Sequence, residues 1–190
     1  MFRLYWNTMN DLILLAIEEE APLVARLPNA HLTGVGKVNA ALTVACLIER
    51  YRPRRIWNFG TAGGITVGAG IHRCTRFVQR DMQVAALGFL PGHTPFEEGH
   101  LLDLGGDGLV CGSGDSFVTD PELVVASDVV DMEAYSLAKA CQRAGVELVC
   151  FKFISDRADA DSSGDWRANV RAGEVHYIKL LRDHGMWTEA

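Results

Sequence analysis

A chain of 190 residues, 48% of them apolar and with a formal charge of −6, has the length of one domain and can bury roughly 70% of its unfolded surface. The acidic balance argues against a nucleic-acid partner, which calls for a basic face, and no apolar run approaches the roughly 20 residues of a membrane-spanning helix. Five scattered cysteines without a C-x-x-C pair, and six histidines without a metal-ligand spacing, point to a reducing compartment with small buried thiols and to no metal centre.

Residues 1–10 read as an extension ahead of the first strand and lack the pattern of a signal peptide, so a cytoplasmic setting is expected. Residues 12–17 form a buried strand. Glu18, Glu19, Glu20 and Pro22 then open a short helix with Leu23, Val24 and Leu27 on its apolar side, because acids and proline both suit a first helical turn. A short strand and glycine turn at 32–36 lead into a helix over 37–51. Val38, Ala41, Leu42, Ala45 and Ile48 recur along it at helical spacing as one apolar stripe. Arg50, Arg52, Arg54 and Arg55, interrupted by Pro53, read as its solvated end. A strand at 55–59 runs into Gly60-Thr61-Ala62-Gly63-Gly64.

Beyond that point the pattern weakens into a strand at 73–79, a loop at 88–99, a glycine-rich turn at 101–108 and strands at 109–113 and 127–130. The helix after Asp131 is well marked, with Ala134, Leu137, Ala138 and Cys141 as its stripe and Gly145 as its C-cap. Residues 146–154 form a buried strand that stops at Ser155-Asp156. A polar loop at 159–165 precedes a last helix over 166–184. Strands alternating with amphipathic helices predict a layered α/β fold. The expected form is a three-layer α/β/α sandwich around a twisted mixed sheet, in a single domain.

Open α/β sheets bind ligands beyond the carboxyl ends of their strands, and the chemistry-bearing residues fall at such ends. Gly60-Thr61-Ala62-Gly63-Gly64 lets backbone approach a ligand closely, or is a tight turn only; it is neither G-x-G-x-x-G nor a Walker loop. Gly34-Val35-Gly36-Lys37 reads better as a simple turn. Glu18-Glu19-Glu20 is a solvated first turn, or sends one acid into the crevice. Asp131-Met132-Glu133 is a cap, or supplies a carboxylate to vicinal hydroxyls. Ser155-Asp156 is a turn cap, or a proton donor to a leaving group.

Taken in order, A-I-E-E-E, T-G-V-G-K-V, N-F-G-T-A-G-G, G-D-S-F-V, V-D-M-E-A and F-I-S-D resemble the nucleoside phosphorylase superfamily. Within it, the chain is most similar to the 5′-methylthioadenosine/S-adenosylhomocysteine nucleosidases, over residues 12–181. The resemblance implies hydrolysis of a purine nucleoside, with Glu20 activating the water and Asp156, supported by Ser155, protonating the base. It implies that Ile17, Thr61, Ala62 and Gly63 lie beside the substrate, that Phe117 and Val118 hold the base, and that Met132 and Glu133 hold the ribose. It also implies a homo-oligomer, a dimer first, and no cofactor. The alternatives are a phosphorylase, which needs cations where this chain places three acids, and a non-catalytic nucleoside binder. The chain departs from the family at 28–37, where a strand pair is usual, at Lys152, where many relatives carry Arg, and at Asp131, where Glu is frequent. In the loop at 80–96, Phe89, Pro91 and Phe96 either line an apolar 5′ pocket or belong to a surface loop.

Overall fold

The computed structural model describes residues 11–120 and 125–187; the expected extension at 1–10 lies outside them. Among these residues the strands are β1 (Asp11–Leu15), β2 (Ala30–Leu32), β3 (Arg55–Gly64), β4 (Ile71–Gln79), β5 (Leu102–Asp103), β6 (Leu109–Ser113), β7 (Val129–Asp131) and β8 (Glu147–Asp156). The helices are α1 (Lys37–Tyr51), α2 (Ala134–Ala144), α3 (Ser162–Asn169) and α4 (Glu174–Asp183). None of them is long and apolar enough to cross a membrane.

The layering follows from β1. Leu12, Ile13, Leu14 and Leu15 are all fully buried, and a strand apolar on both faces must be covered on both. Leu12 and Leu14 pack with Ala40 and Val44 of α1 and Leu137, Ala138 and Cys141 of α2. Ile13 and Leu15 pack on the other side with Trp57, Phe59, Tyr177 and Leu181. The result is the expected three-layer sandwich around a mixed sheet.

β1 pairs in parallel with β2 and β3, and β3 in parallel with β8. β8 pairs antiparallel with β4, β4 parallel with β6, and β6 parallel with β7. β7 returns antiparallel to the Gly63–Gly64 end of β3, so the pairings β3–β8–β4–β6–β7 close a ring. The carboxyl ends of β1, β3 and β8 therefore meet those of β6 and β7 head-on. That convergence is where the fold opens a cavity.

Several expectations change. The short helix after β1 is instead two single 3₁₀ turns, Glu18–Glu20 and Val24–Arg26. The Glu20 side chain bonds back to the Ala16 amide and the chain leaves helical geometry at Ala21. The glycine segment after residue 59 continues β3 to Gly64, because β8 keeps pairing with it through a bulge at Ala62/Gly63. The short strand expected at 32–36 lies earlier, as the edge strand β2 at Ala30–Leu32, and 101–108 holds the two-residue β5.

On α1 the buried residues are Ala40 and Val44, whereas Val38 and Leu42 are 69% and 64% exposed. The helix is apolar on more than one side, so spacing alone picks the wrong face. The last helix is two helices, since α4 lays Tyr177 and Leu181 on the sheet while α3 turns Trp166 to the cavity. Cys46, expected among the buried thiols, is exposed; Cys74, Cys111, Cys141 and Cys150 are buried.

Candidate active site

The cavity measures about 230 Å³, below the roughly 300–1,000 Å³ of drug-sized ligand sites. Its wall comes from the end of β1 (Ala16, Ile17, Glu20), the turn before α1 (Val35), the end of β3 (Thr61, Ala62, Gly63) and Phe117 beyond β6. Asp131, Met132 and Glu133 between β7 and α2, Ser155 and Asp156 of β8, and Trp166 of α3 complete it.

Of the three consecutive acids, Glu18 and Glu19 face solvent and Glu20 turns inward, 4% exposed. Its Oε2 accepts the Ala16 amide at 3.0 Å. Its Oε1 accepts the Thr61 amide at 2.8 Å and the Thr61 hydroxyl at 3.0 Å. These donors hold the carboxylate in one orientation at the cavity wall.

Asp156 is 8% exposed. It accepts the Ala158 amide at Oδ1 and the Ser155 hydroxyl at Oδ2, both at 2.9 Å. The Asn169 amide group in turn donates to the Ser155 carbonyl at 2.9 Å, which ties α3 to the end of β8. A side chain at Gly63 would stand 2.7 Å from Asp156 Oδ1, so only glycine lets β3 and this carboxylate approach so closely.

Glu133 is 7% exposed and its Oε1 accepts the Gly36 amide at 2.8 Å. The Gly34–Lys37 segment is thus more than a turn. It aims a backbone donor at a carboxylate 97 residues away, from a glycine at φ 93° that a side chain would strain. Burial first, then the neighbouring Asp131 charge, push the Glu133 carboxyl up to about 7, against the pull of Lys152 and the Gly36 amide.

Beneath the cavity Lys152, 2% exposed, meets Asp131 Oδ2 at 2.8 Å. Burial alone would raise the Asp131 carboxyl, but Lys152, the Ser113 hydroxyl and the Ala134 amide hold it below the ordinary carboxylate range. Burial also works against the Lys152 charge, and Asp131 leads the carboxylate and thiol neighbours that hold it protonated. The pair is mutually neutralised, and no lysine or arginine lines the cavity among the described residues.

Phe117 is held from behind. Arg80 donates to the carbonyls of Gly114, at 2.9 Å, and of Ser116. Asp81 accepts the Asp115 amide at 3.0 Å and pairs with Lys37. This clamp fixes the loop carrying Phe117, whose ring stands edge-on to Trp166 with centroids 6.2 Å apart.

Of the expected site residues, Ile17, Glu20, Thr61, Ala62, Gly63, Phe117, Met132, Glu133, Ser155 and Asp156 line the cavity. Val118 does not; it lines a smaller adjoining recess with Gly63, Phe117, Met132 and Asp156. Phe89, Pro91 and Phe96 are absent from the wall. Phe96 is 92% exposed, and Phe89 packs against it edge-on.

Sequence reasoning missed Ala16, Val35 and Trp166 as wall residues, and the use of Asp131 to anchor Lys152. Trp166 left one faint signal, a large aromatic in an otherwise polar stretch. Chemically, buried carboxylates from three separate elements around one small cavity suit paired proton transfer to and from a polar small molecule.

The chain is similar to known proteins in sequence and in fold. The family model of the Phosphorylase superfamily matches residues 23–98 and 110–181. The chain is 31% identical over 178 residues to a 5′-methylthioadenosine/S-adenosylhomocysteine nucleosidase of Shewanella loihica, covering 78% of this chain and 76% of that protein. It is 32% identical over 176 residues to one of a Geobacillus species, with the same shares of each covered. Among solved structures, the native futalosine hydrolase of Helicobacter pylori superimposes with a TM-score of 0.82 at 20% identity, over 93% of this chain and 98% of that one. A Helicobacter pylori nucleosidase mutant with 5′-methylthioadenosine in its active site superimposes with a TM-score of 0.81, also at 20% identity, over 92% and 98%.

Proposed function

The chain belongs to the phosphorylase superfamily, and from that premise we propose that it is a purine nucleosidase of the 5′-methylthioadenosine/S-adenosylhomocysteine type. It cleaves the N-glycosidic bond with water to give free base and ribosyl sugar. The observation that carries this reading is the set of buried carboxylates, Glu20, Glu133 and Asp156, around one small cavity.

Each carboxylate has its own task. Breaking the bond between sugar C1′ and purine N9 builds positive charge on the sugar and negative charge on the base. Asp156 donates a proton to N7, so the base leaves neutral. Glu20 takes a proton from the attacking water as its oxygen bonds to C1′. Acid–base pairs of this kind serve glycoside hydrolysis in general. Glu133 accepts hydrogen bonds from the ribose hydroxyls, Met132 packs against the sugar, and Phe117 stacks on the base with Val118 beside it.

Water is favoured over phosphate as the nucleophile because every charged side chain on the wall is a carboxylate, and the cation Lys152 is already paired with Asp131. We further infer a homodimer in the cytoplasm, acting in methionine salvage. The exposed Val38 and Leu42 of α1 support a second copy on that face.

The test is base release from methylthioadenosine, adenosylhomocysteine, adenosine, inosine and AMP, with and without phosphate. Release without phosphate is expected, and strict phosphate dependence would overturn hydrolysis. No turnover of any nucleoside would leave only a binder. Glu20→Gln and Asp156→Asn are each expected to lower kcat by about 10²–10⁴-fold, the usual worth of one general acid or base, with unfolding curves unchanged. Near-normal turnover in either removes that residue from its role.

A further inference from the structure

We propose that Trp166 is a positioning residue for Glu20, acting through the hydroxyl of Thr61. The Trp166 indole N–H donates to Thr61 Oγ1 at 3.0 Å, and that hydroxyl donates to Glu20 Oε1 at 3.0 Å. The three residues lie on α3, β3 and the turn after β1, so the chain of bonds exists only in the folded molecule.

The direction of this relay is dictated by the groups themselves. An indole nitrogen can only donate, whereas a threonine hydroxyl has one proton and two acceptor sites. With the indole N–H occupying an acceptor site, the single hydroxyl proton is left for Glu20. The Thr61 amide donates to the same carboxylate oxygen at 2.8 Å, so Thr61 grips Oε1 twice while Ala16 holds Oε2. Trp166 thus keeps Thr61 in the rotamer that presents Glu20 to the cavity as an acceptor oriented by three donors. Its ring also stands edge-on to Phe117. A phenylalanine would keep that ring contact and lose the hydrogen bond, which is what makes the two contributions separable.

The inference rests on the reading that Glu20 activates the water. It is tested by kcat and KM on 5′-methylthioadenosine for Trp166→Phe, Thr61→Val, the double variant, Thr61→Ser and Glu20→Gln. Losing one oriented hydrogen bond is expected to lower kcat of Trp166→Phe by about 5–10-fold, with KM within about twofold. Thr61→Val is expected to fall at least as far. The double variant should be no worse than Thr61→Val, because residues acting through one chain of contacts are not additive. Thr61→Ser, which keeps the hydroxyl, should retain most of the activity. A loss confined to KM, a full kcat in Trp166→Phe, or additive losses in the double variant would overturn the relay. Near-normal turnover by Glu20→Gln would instead overturn the water-activation reading beneath it, so the two failures are told apart.

Discussion

Glu133 couples the stability of the fold to pH. Its carboxyl moves from 4.5 to about 7 on folding, first because burial disfavours the charge and then because Asp131 lies close by. The folded state therefore holds a proton that the unfolded chain releases. The stabilisation this provides is complete below 4.5 and is lost as pH rises through about 7. Glu133→Gln carries no such charge and its amide oxygen can still accept the Gly36 N–H. Relative to wild type, the variant is expected to gain stability steadily from pH 4.5 to 8. Urea unfolding of both proteins across that range checks it, and parallel stability curves would contradict the shift. Asp131, held low, and Lys152, held high, by contrast both stay charged, because each is the other's compensation. That pair holds its charges in a fully buried setting where neither would survive alone.

At the scale of elements, the end of β3 decides how closely the site can be assembled. Gly63 lies against Asp156 of β8, Ala158 beyond it and Val130 of β7, and an added methyl would stand 2.7, 3.0 and 3.1 Å from their atoms. None of these neighbours is a flexible chain end, and overpacking of this kind costs about 1–3 kcal/mol. Gly63→Ala is expected to lose stability in that range and most of its nucleosidase turnover, since the displaced atom is the Asp156 carboxylate oxygen. Gly68→Ala, where nothing lies within 4 Å, is the control and should change neither. Thermal unfolding and base release, measured on both variants, decide the matter; wild-type behaviour in Gly63→Ala would show that the strands can part without consequence. The two 3₁₀ turns after β1 matter at the same scale. A regular helix would carry Glu18 and Glu19 on with Glu20, whereas the turn isolates Glu20 inward and leaves the others in water.

At the scale of the molecule, α1 leaves an apolar face exposed among the described residues. Val38 and Leu42, one helical turn apart, are 69% and 64% exposed beside Val35 at 47%. A helix apolar on two sides is accounted for when both are covered, and the proposed dimer covers the second. The double variant Val38→Glu, Leu42→Glu should convert a dimer to monomers with little change in secondary structure, as read by sedimentation velocity and circular dichroism. A wild-type protein that sediments as a monomer, or a variant that remains dimeric, would remove α1 from the interface.

Much of this protein follows from local pattern. The buried strands at β1, β6 and β8, the stripe and glycine cap of α2, and the alternation that makes a three-layer sandwich are properties of neighbours in the chain, where spacing and turn chemistry act. So is the placement of Glu20, Glu133 and Asp156 near strand ends, which the family's motifs carried in order. What local pattern did not contain is which face of α1 meets the sheet, that the last helix breaks in two, or that Trp166 reaches Thr61 across 105 positions. Nor did it contain the Gly36 amide meeting Glu133, or Lys152 neutralised by Asp131. Each of these depends on the tertiary arrangement that brings distant segments of the chain together. Burial and hydrogen-bond partnership are properties of that arrangement, and no window of sequence includes both partners.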